Sequence, residues 1–267
     1  MTARSADRHV LYTEAVQNVQ SEIDFLDRQF FRLRARPARH LREDFCGTAA
    51  AACEWVRRGP DHTALGLDLD APTLAWARAH ERTKLRPEQQ ARITLRRGNV
   101  LTPPRAAAPR GGFDIVSAMN FSYFTFRTRP LMLRYFRVVR SSLARDGVFF
   151  LDYYGGSDAL RELEERRRCK GFTYVWDQHR YDPLSGDWHC RIHFEFRDGT
   201  RLRNAFEYHW RTWTIPELRE IALQAGFRRF RVYWEGEDAN GTGNGVFRET
   251  RRGAADRAYI CYLAAER

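Results

Sequence analysis

The chain has 267 residues, 43% hydrophobic and 13% aromatic, which is enough apolar material for one elaborated domain or a domain with a sizeable insertion. No apolar run approaches the roughly 20 residues that span a bilayer, so we expect a cytoplasmic protein with no membrane partner. The five cysteines are scattered without a C-x-x-C pair, which indicates reduced thiols, and we expect no metal site.

The net charge of +11 raises the possibility of a nucleic-acid partner, because polyanions bind clustered basic side chains. All but two of the 45 basic residues are arginine, however, and they are spread over the whole chain. This distribution favours a compositional bias. The densest candidates for a real basic patch are residues 161–170 and 228–231.

The first elements in chain order are helices followed by a glycine turn. Apolar residues recur at helical spacing over residues 9–34 and predict one or two helices before Pro37. The segment Leu41-Arg42-Glu43-Asp44-Phe45-Cys46-Gly47-Thr48-Ala49 then predicts a strand and a tight turn. An Ala-rich helix should follow to about Arg58, with Thr48 as its cap.

The second strand, Thr63 to Asp68, ends in a carboxylate. A strand, a glycine turn, a helix and a second strand with a terminal carboxylate are the elements with which an α/β fold binds a nucleoside cofactor. A dinucleotide turn uses several glycines so that backbone amides approach a pyrophosphate. This turn has one glycine, with Glu43 and Asp44 ahead of it. Those carboxylates should repel phosphate and attract a ligand with an ammonium and a sulfonium, as in S-adenosylmethionine.

The later elements alternate strand and helix and predict a mainly parallel sheet covered on both faces. A Pro- and Ala-rich loop, Leu101 to Gly112, interrupts them, and a capping box at Thr214 opens the last helix. The five further strands are expected at residues 92–96, 113–118, 148–151, 229–234 and 258–263. The fold class is therefore α/β, a Rossmann-like seven-stranded sheet with an antiparallel final strand.

Residues 157–213 form the predicted insertion. A short helix is expected over 158–168, and three stretches that alternate at period two predict an antiparallel β-meander. Its aromatic face is expected to pack on the core or on a second subunit, which makes a homodimer reasonable. The opposite face carries His189, His193 and His209, for which we favour a solvated or salt-bridged surface over a metal site.

The glycine turn and Asp68 resemble the class I S-adenosylmethionine-dependent methyltransferases, whose first motif reads acidic-x-Gly-x-Gly-x-Gly. Glu43 matches the acidic residue, Gly47 the central glycine and Asp68 the ribose-binding carboxylate, whereas Phe45 and Ala49 stand where glycines are usual. The resemblance implies an enzyme with S-adenosylmethionine as cofactor. The other implied cofactor-binding residues are Cys46, Thr48, Leu69, Asn99, Val100, Asn120 and Phe121.

The resemblance also implies the domain organisation. Residues 1–37 would form a helical lid, and residues 38–156 with 214–267 the cofactor-binding domain. The insertion would cover the active site or mediate dimer contacts. Methyl transfer depends mainly on positioning, which is worth about 7–11 kcal/mol, more than an acid or base supplies. The catalytic candidates are Tyr12, Tyr123, Tyr153 and His179, with Tyr154 as a further possible base.

Three functions remain open at this stage. The first is methyl transfer to a small molecule. The second is methyl transfer to RNA, DNA or protein, suggested by Asn120-Phe121-Ser122-Tyr123, which has the Asn-x-x-Tyr spacing of base-amino methyltransferases but lacks their two prolines. The third is a Rossmann-like nucleotide-binding protein without methyltransferase activity.

Overall fold

The central element of the protein is an eight-stranded sheet with strand order β3-β2-β1-β4-β5-β12-β10-β11. The computed structural model describes residues 1–104 and 108–267. Strands β1 to β5 pair in parallel, as buried strands separated by helices should. The strands of this sheet are β1 His40–Asp44, β2 Thr63–Asp68, β3 Ile93–Arg97, β4 Phe113–Ala118, β5 Leu143–Gly155, β10 Arg229–Glu237, β11 Gly243–Thr250 and β12 Tyr259–Glu266.

Helices cover both faces of this sheet, with apolar stripes that form two separate cores. The Ala-rich α3 packs closely on β1 and β2, and α6 buries a stripe that includes Met132, Phe136 and Val139. The helices are α1 Arg8–Val16, α2 Val19–Arg34, α3 Ala50–Arg57, α4 Ala71–Ala79, α5 Pro87–Gln90, α6 Arg129–Ser142 and α7 Ile215–Gln224. In the described ranges, none of them combines the length and the apolarity that crossing a bilayer requires.

The mainly parallel α/β sheet and its antiparallel β12 agree with the sequence prediction, but the number of strands does not. β12 lies antiparallel between β5 and β10, and an eighth strand, β11, pairs with β10 at the edge. β11 begins within the glycine-rich segment 235–245 and is mostly exposed, so its sequence lacks the buried alternation that reveals a strand. Of the predicted loop Leu101 to Gly112, residues 105–107 lie outside the described residues.

The insertion is a second, antiparallel sheet of four strands in the order β6-β7-β8-β9. Its strands are β6 Leu163–Arg168, β7 Phe172–Tyr181, β8 Asp187–Phe196 and β9 Arg201–Arg211. The helix predicted over 158–168 is wrong: a short 3₁₀ turn, Ser157–Leu160, leads into β6. The sequence of β6, Leu-Glu-Glu-Arg-Arg-Arg, favours a helix locally, but pairing with β7 along the whole strand overrides that preference.

The aromatic face of this second sheet packs inside the chain, where Leu11 and Ala15 of α1 join Ile192 and Phe194 in a third core. The face on which the homodimer expectation rested is therefore covered by the chain itself. The opposite face carries ion pairs, such as His189 with Glu207 at 2.6 Å. His193 is buried beside an irregularity in the register of β8, where it pairs with Asp177, as the salt-bridged alternative predicted, and accepts the Asn204 N–H.

Candidate functional site

The loop after β1 holds three residues in the left-handed region, Phe45 (φ 57°), Gly47 (φ 50°) and Ala49 (φ 59°). These are the three positions at which the methyltransferase motif has glycines. A side chain in this region costs about 1–2 kcal/mol, so Phe45 and Ala49 store strain in the loop. The loop therefore has a left-handed residue at every second position, although two of the three usual glycines are replaced.

Glu43, at the end of β1, is buried and aimed at the start of α3. Its carboxylate accepts the Ala52 N–H at 2.9 Å and so caps the helix from outside it. Thr48 was predicted as the cap, but the capping position is Ala49, which has no side-chain hydrogen bond. Burial, with a smaller contribution from the nearby carboxylates of Glu22 and Asp68, raises the pKa of Glu43 to about 8.

Asp44 has a different environment from Glu43. Its carboxylate is fully buried, lies 2.8 Å from the Arg42 guanidinium and accepts a hydrogen bond from the Tyr135 hydroxyl at 2.9 Å. Because its charge is already paired, Asp44 does not supply the attraction for a cationic ligand that the sequence suggested for both acidic residues of the turn.

Asp68, at the end of β2, connects the two loops on this edge of the sheet. Its carboxylate accepts the Gly47 N–H and the Asp70 N–H, each at 2.8 Å. A Cβ atom placed on Gly47 would have no heavy atom within 4 Å, so the space beside Gly47 is open. The arrangement leaves an open notch beside a carboxylate, as a bound ribose and methionine would require.

Asp152, in β5, holds the segment that follows β4. Its carboxylate accepts the backbone N–H groups of Asn120 (2.7 Å) and Phe121 (3.0 Å), both of which are left-handed non-glycine residues. Burial raises the pKa of Asp152 to about 8. Consecutive strained residues tied to one carboxylate are typical of a functional loop.

Four carboxylates therefore lie together along this edge, and we call them the acidic cluster: Glu22, Glu43, Asp68 and Asp152. They are close enough that the charge of Glu22 raises the pKa of both Glu43 and Asp152. Within residues 1–104 and 108–267, no arginine or lysine pairs with any of the four. Sequence reasoning missed Glu22, whose signal was its place one helical turn before Phe25 and Leu26 on the buried stripe of α2.

The other residues predicted to bind the cofactor lie at the same edge of the sheet, but they differ in burial and in hydrogen bonding. Cys46 is buried against Gly66, and its backbone bonds to Leu67 and Ala49. Thr48 is buried, while Leu69 is 60% exposed beside Asp68. Asn99 uses its side-chain oxygen to accept the Leu101 N–H at 2.9 Å, and Val100 is buried next to it.

A cavity of about 170 Å³ opens between the two sheets, and we call it the aromatic pocket. Asn120, Phe121 and Ile260 come from the first sheet side, and α1 supplies two residues. The full lining is Tyr12, Val16, Asn120, Phe121, Tyr154, Glu165, Tyr174, Trp176, Ile192, Tyr208, Trp210 and Ile260.

Among the catalytic candidates, Tyr12 lines the aromatic pocket and three others do not. The Tyr123 hydroxyl is buried and donates to the Asp152 backbone oxygen at 2.8 Å, and Tyr153 donates to that of Trp213 at 2.8 Å. His179 is exposed on the outer face of the second sheet, beside His189. These three side chains are not positioned to act on a ligand in the pocket. Tyr154 does line it, and its buried hydroxyl has no hydrogen-bond partner among the residues that the structure describes.

No family model matches the sequence, and no curated protein is similar to it in sequence. Solved structures do match in fold. A S-adenosylmethionine-dependent methyltransferase from Clostridium acetobutylicum is 15% identical with a TM-score of 0.69, covering 97% of this chain and 96% of that one.

Two further structures match over almost their whole length. DesVI from Streptomyces venezuelae is 16% identical with a TM-score of 0.67 and covers 96% of this chain and 95% of that one. CalS10, an amino pentose methyltransferase from Micromonospora echinaspora, is 17% identical with a TM-score of 0.66 and covers 97% and 96%. The chain has the Rossmann-like fold of the S-adenosylmethionine-dependent methyltransferases.

Proposed function

We propose that this protein is a cytoplasmic S-adenosylmethionine-dependent methyltransferase that methylates a small molecule held in the aromatic pocket. The observation that carries the proposal is the acidic cluster, which has no basic partner in the described residues of a chain whose net charge is +11. Such a cluster attracts a ligand with an ammonium and a sulfonium and repels a pyrophosphate. The five cysteines, all free, fit a reducing compartment.

The residues at the sheet edge fit this cofactor. The Asp68 carboxylate would bind the ribose hydroxyls, and the notch beside Gly47 would admit the methionine portion. Leu69 and Val100 would flank the adenine ring, with the Asn99 side chain near its amino group. Glu43 and Asp152 would face the positive charges, which stabilise their ionised forms.

S-adenosylmethionine supplies a methyl group whose bond to sulfur breaks with both electrons remaining on the sulfur. The chain's part is then to hold the acceptor in line and to exclude water, which is worth about 7–11 kcal/mol. The hydroxyls that line the pocket are poor bases at neutral pH, since burial raises the pKa of Tyr12, Tyr154 and Tyr208 above the usual value for tyrosine. Positioning is therefore the main catalytic contribution.

A macromolecular acceptor is the second candidate and is less well supported. The segment Asn120-Phe121-Ser122-Tyr123 lacks the prolines that stiffen a base-receiving loop, and the Tyr123 hydroxyl is bonded inside the core. The pocket lining includes no arginine or lysine among the described residues, although phosphate contacts dominate nucleic-acid binding. CalS10 is an amino pentose methyltransferase, which also favours a small acceptor.

Isothermal titration calorimetry tests the proposal directly. We expect S-adenosylmethionine and S-adenosylhomocysteine to bind with micromolar or tighter affinity, and NAD to show no heat of binding. Binding of NAD in place of S-adenosylhomocysteine would overturn the proposal in favour of a nicotinamide-nucleotide protein. A shift of tRNA or duplex DNA in a salt-sensitive gel assay would support the macromolecular alternative.

A further inference from the structure

We infer that the acceptor is an organic amine that the aromatic pocket binds in its cationic form. The inference rests on the proposed function, because it assigns the acceptor to the pocket beside the acidic cluster. It specifies the class of acceptor, which the fold by itself leaves open.

The charge of the pocket is the first argument. The chain carries 45 lysines and arginines against 34 acidic residues, yet among the described residues Glu165 is the only charged side chain in the pocket lining. Asp152 lies directly behind the pocket, where it holds the backbone of Asn120 and Phe121. An anionic acceptor such as a carboxylate or a phosphate would find no basic side chain among the described residues of the lining. The guanidinium of Arg167, 5.4 Å from the centre of the Tyr174 ring, donates to the Ala15 backbone oxygen.

The aromatic rings are the second argument. Trp176, Tyr208 and Trp210 form a continuous aromatic wall on the second sheet, with Tyr208 and Trp210 stacked at 4.4 Å and Trp176 6.1 Å from Trp210. Phe121 and Tyr154, 5.9 Å apart, face them from the first sheet. Aromatic faces on two sides attract an alkylammonium ion through their quadrupoles, which is how methylated ammonium groups are recognised.

The position of Glu165 is the third argument. Glu165 pairs with Trp176 across β6 and β7, so its side chain lies on the pocket face of the sheet. Its neighbour Glu164 points to the opposite face, where Arg166 and Arg201 bind it. Glu165 has no ion-pair partner in the described part of the chain. Burial raises the pKa of Tyr154 and Tyr174, and the charge of Glu165 adds to both shifts, whereas Arg167 opposes the shift of Tyr174.

The reaction of such an acceptor balances without a further reactant. The bound ammonium loses its proton to water on the side where Glu165 is exposed, and the nitrogen lone pair then forms the bond to the methyl carbon. The carbon–sulfur bond breaks with its electrons on sulfur. The methylated amine carries a positive charge again, so the aromatic pocket surrounds a cationic group before and after the transfer.

Choline and its neutral carbon isostere 3,3-dimethylbutan-1-ol are matched probes for this inference. We expect choline to bind the protein loaded with S-adenosylhomocysteine at least tenfold more tightly than the isostere. The Glu165→Gln variant should weaken choline binding about fivefold and leave the isostere unaffected, and Glu164→Gln, on the opposite face of the same strand, should behave as wild type. Trp176→Leu should weaken choline binding more than isostere binding.

Equal affinity for the two probes, or no binding of choline, would overturn the inference. The inference is also overturned if Glu164→Gln and Glu165→Gln weaken choline binding equally. The titrations are run with and without S-adenosylhomocysteine, whose own binding is measured first. A protein that binds S-adenosylhomocysteine but shows no preference for choline contradicts the amine acceptor alone, whereas a protein that fails to bind S-adenosylhomocysteine contradicts the proposed function.

Discussion

The carboxylate of Asp68 accepts the backbone N–H of Gly47 at 2.8 Å, which ties the end of β2 to the loop after β1. The second oxygen of the same carboxylate accepts the Asp70 N–H. Asp68 therefore shapes both loops that border the notch beside Gly47, in addition to placing a charge there. A change at this residue should affect ligand binding through geometry as well as through charge.

Replacement of Asp68 is the most direct test of the cofactor site. We expect Asp68→Ala to weaken S-adenosylhomocysteine binding at least tenfold, which corresponds to about 1.4 kcal/mol. Asp68→Asn keeps one acceptor oxygen and should have an intermediate effect. Asp61→Asn removes a carboxylate from an exposed pair with Arg39 and serves as the control in calorimetry. Unchanged affinity of Asp68→Ala would contradict the ribose assignment.

Gly47→Ala separates the backbone role of this glycine from its role in ligand binding. The left-handed φ predicts a loss of about 1 kcal/mol of stability, and the new methyl group meets no protein atom within 4 Å. The methyl group would instead occupy the notch, so the affinity for S-adenosylhomocysteine should fall by more than tenfold.

Gly199→Ala is the matched control for Gly47→Ala. Gly199 also has a positive φ with nothing within 4 Å of a Cβ, but it lies in the turn between β8 and β9. It should lower the melting temperature by a similar amount and leave calorimetric affinity unchanged. Equal affinities of the two variants would show that the notch does not receive the cofactor.

The sequence predicted the parallel core and the Gly47–Asp68 edge because both are encoded locally. Buried parallel strands are continuous apolar runs, and a carboxylate at the end of the second strand has a fixed place in the α/β order. The strands β6 and β11 were missed for the converse reason: both are exposed edge strands, stabilised by pairing with a distant neighbour.

The roles of the individual tyrosines required the structure. Tyr123 follows β4 and Tyr154 lies near the end of β5, but the Tyr123 hydroxyl is bonded to a backbone oxygen 29 residues away, whereas the Tyr154 hydroxyl has no partner in the described part of the chain. The same limit applies to Glu43 and Asp44, which are adjacent in sequence and face opposite sides of the sheet. Only the Arg42 and Tyr135 contacts show that Asp44 is already neutralised.

The buried pair of Arg42 and Asp44 predicts a large loss of stability when it is broken. Both side chains are at most 1% exposed, so Arg42→Met leaves an unpaired carboxylate in the core and should cost about 3–5 kcal/mol in urea denaturation. The triple variant Arg42→Met, Asp44→Leu, Tyr135→Phe removes the charges and their hydroxyl donor together and should recover most of this loss. A single variant as stable as wild type would show that the pair is not buried in solution.

The raised pKa values of the acidic cluster predict how stability depends on pH. Burial raises the pKa of Glu43 and of Asp152 to about 8, whereas both are near 4 in an unfolded chain. The folded state therefore binds protons more tightly, and the stability that these groups contribute is present below about pH 4 and is lost as the pH rises through 8. Burial lowers the pKa of His9, His62 and His193, so the stability change that these three histidines cause lies below pH 7.

Urea denaturation of the ligand-free protein between pH 7 and pH 9 measures this effect. We expect the free energy of unfolding to fall by about 0.7 kcal/mol per pH unit near pH 8 for each carboxyl group with a pKa of about 8, since half of that group is still protonated in the folded state there. Glu43→Gln keeps an acceptor for the Ala52 N–H but cannot ionise, so its slope should be smaller than that of wild type. Glu88→Gln, at an exposed carboxylate beside Arg86, should keep the wild-type slope. If the free energy of unfolding falls with pH equally in wild type and Glu43→Gln, Glu43 is already ionised at pH 7. The carboxylate of Glu43 would then contribute its negative charge to the acidic cluster at neutral pH.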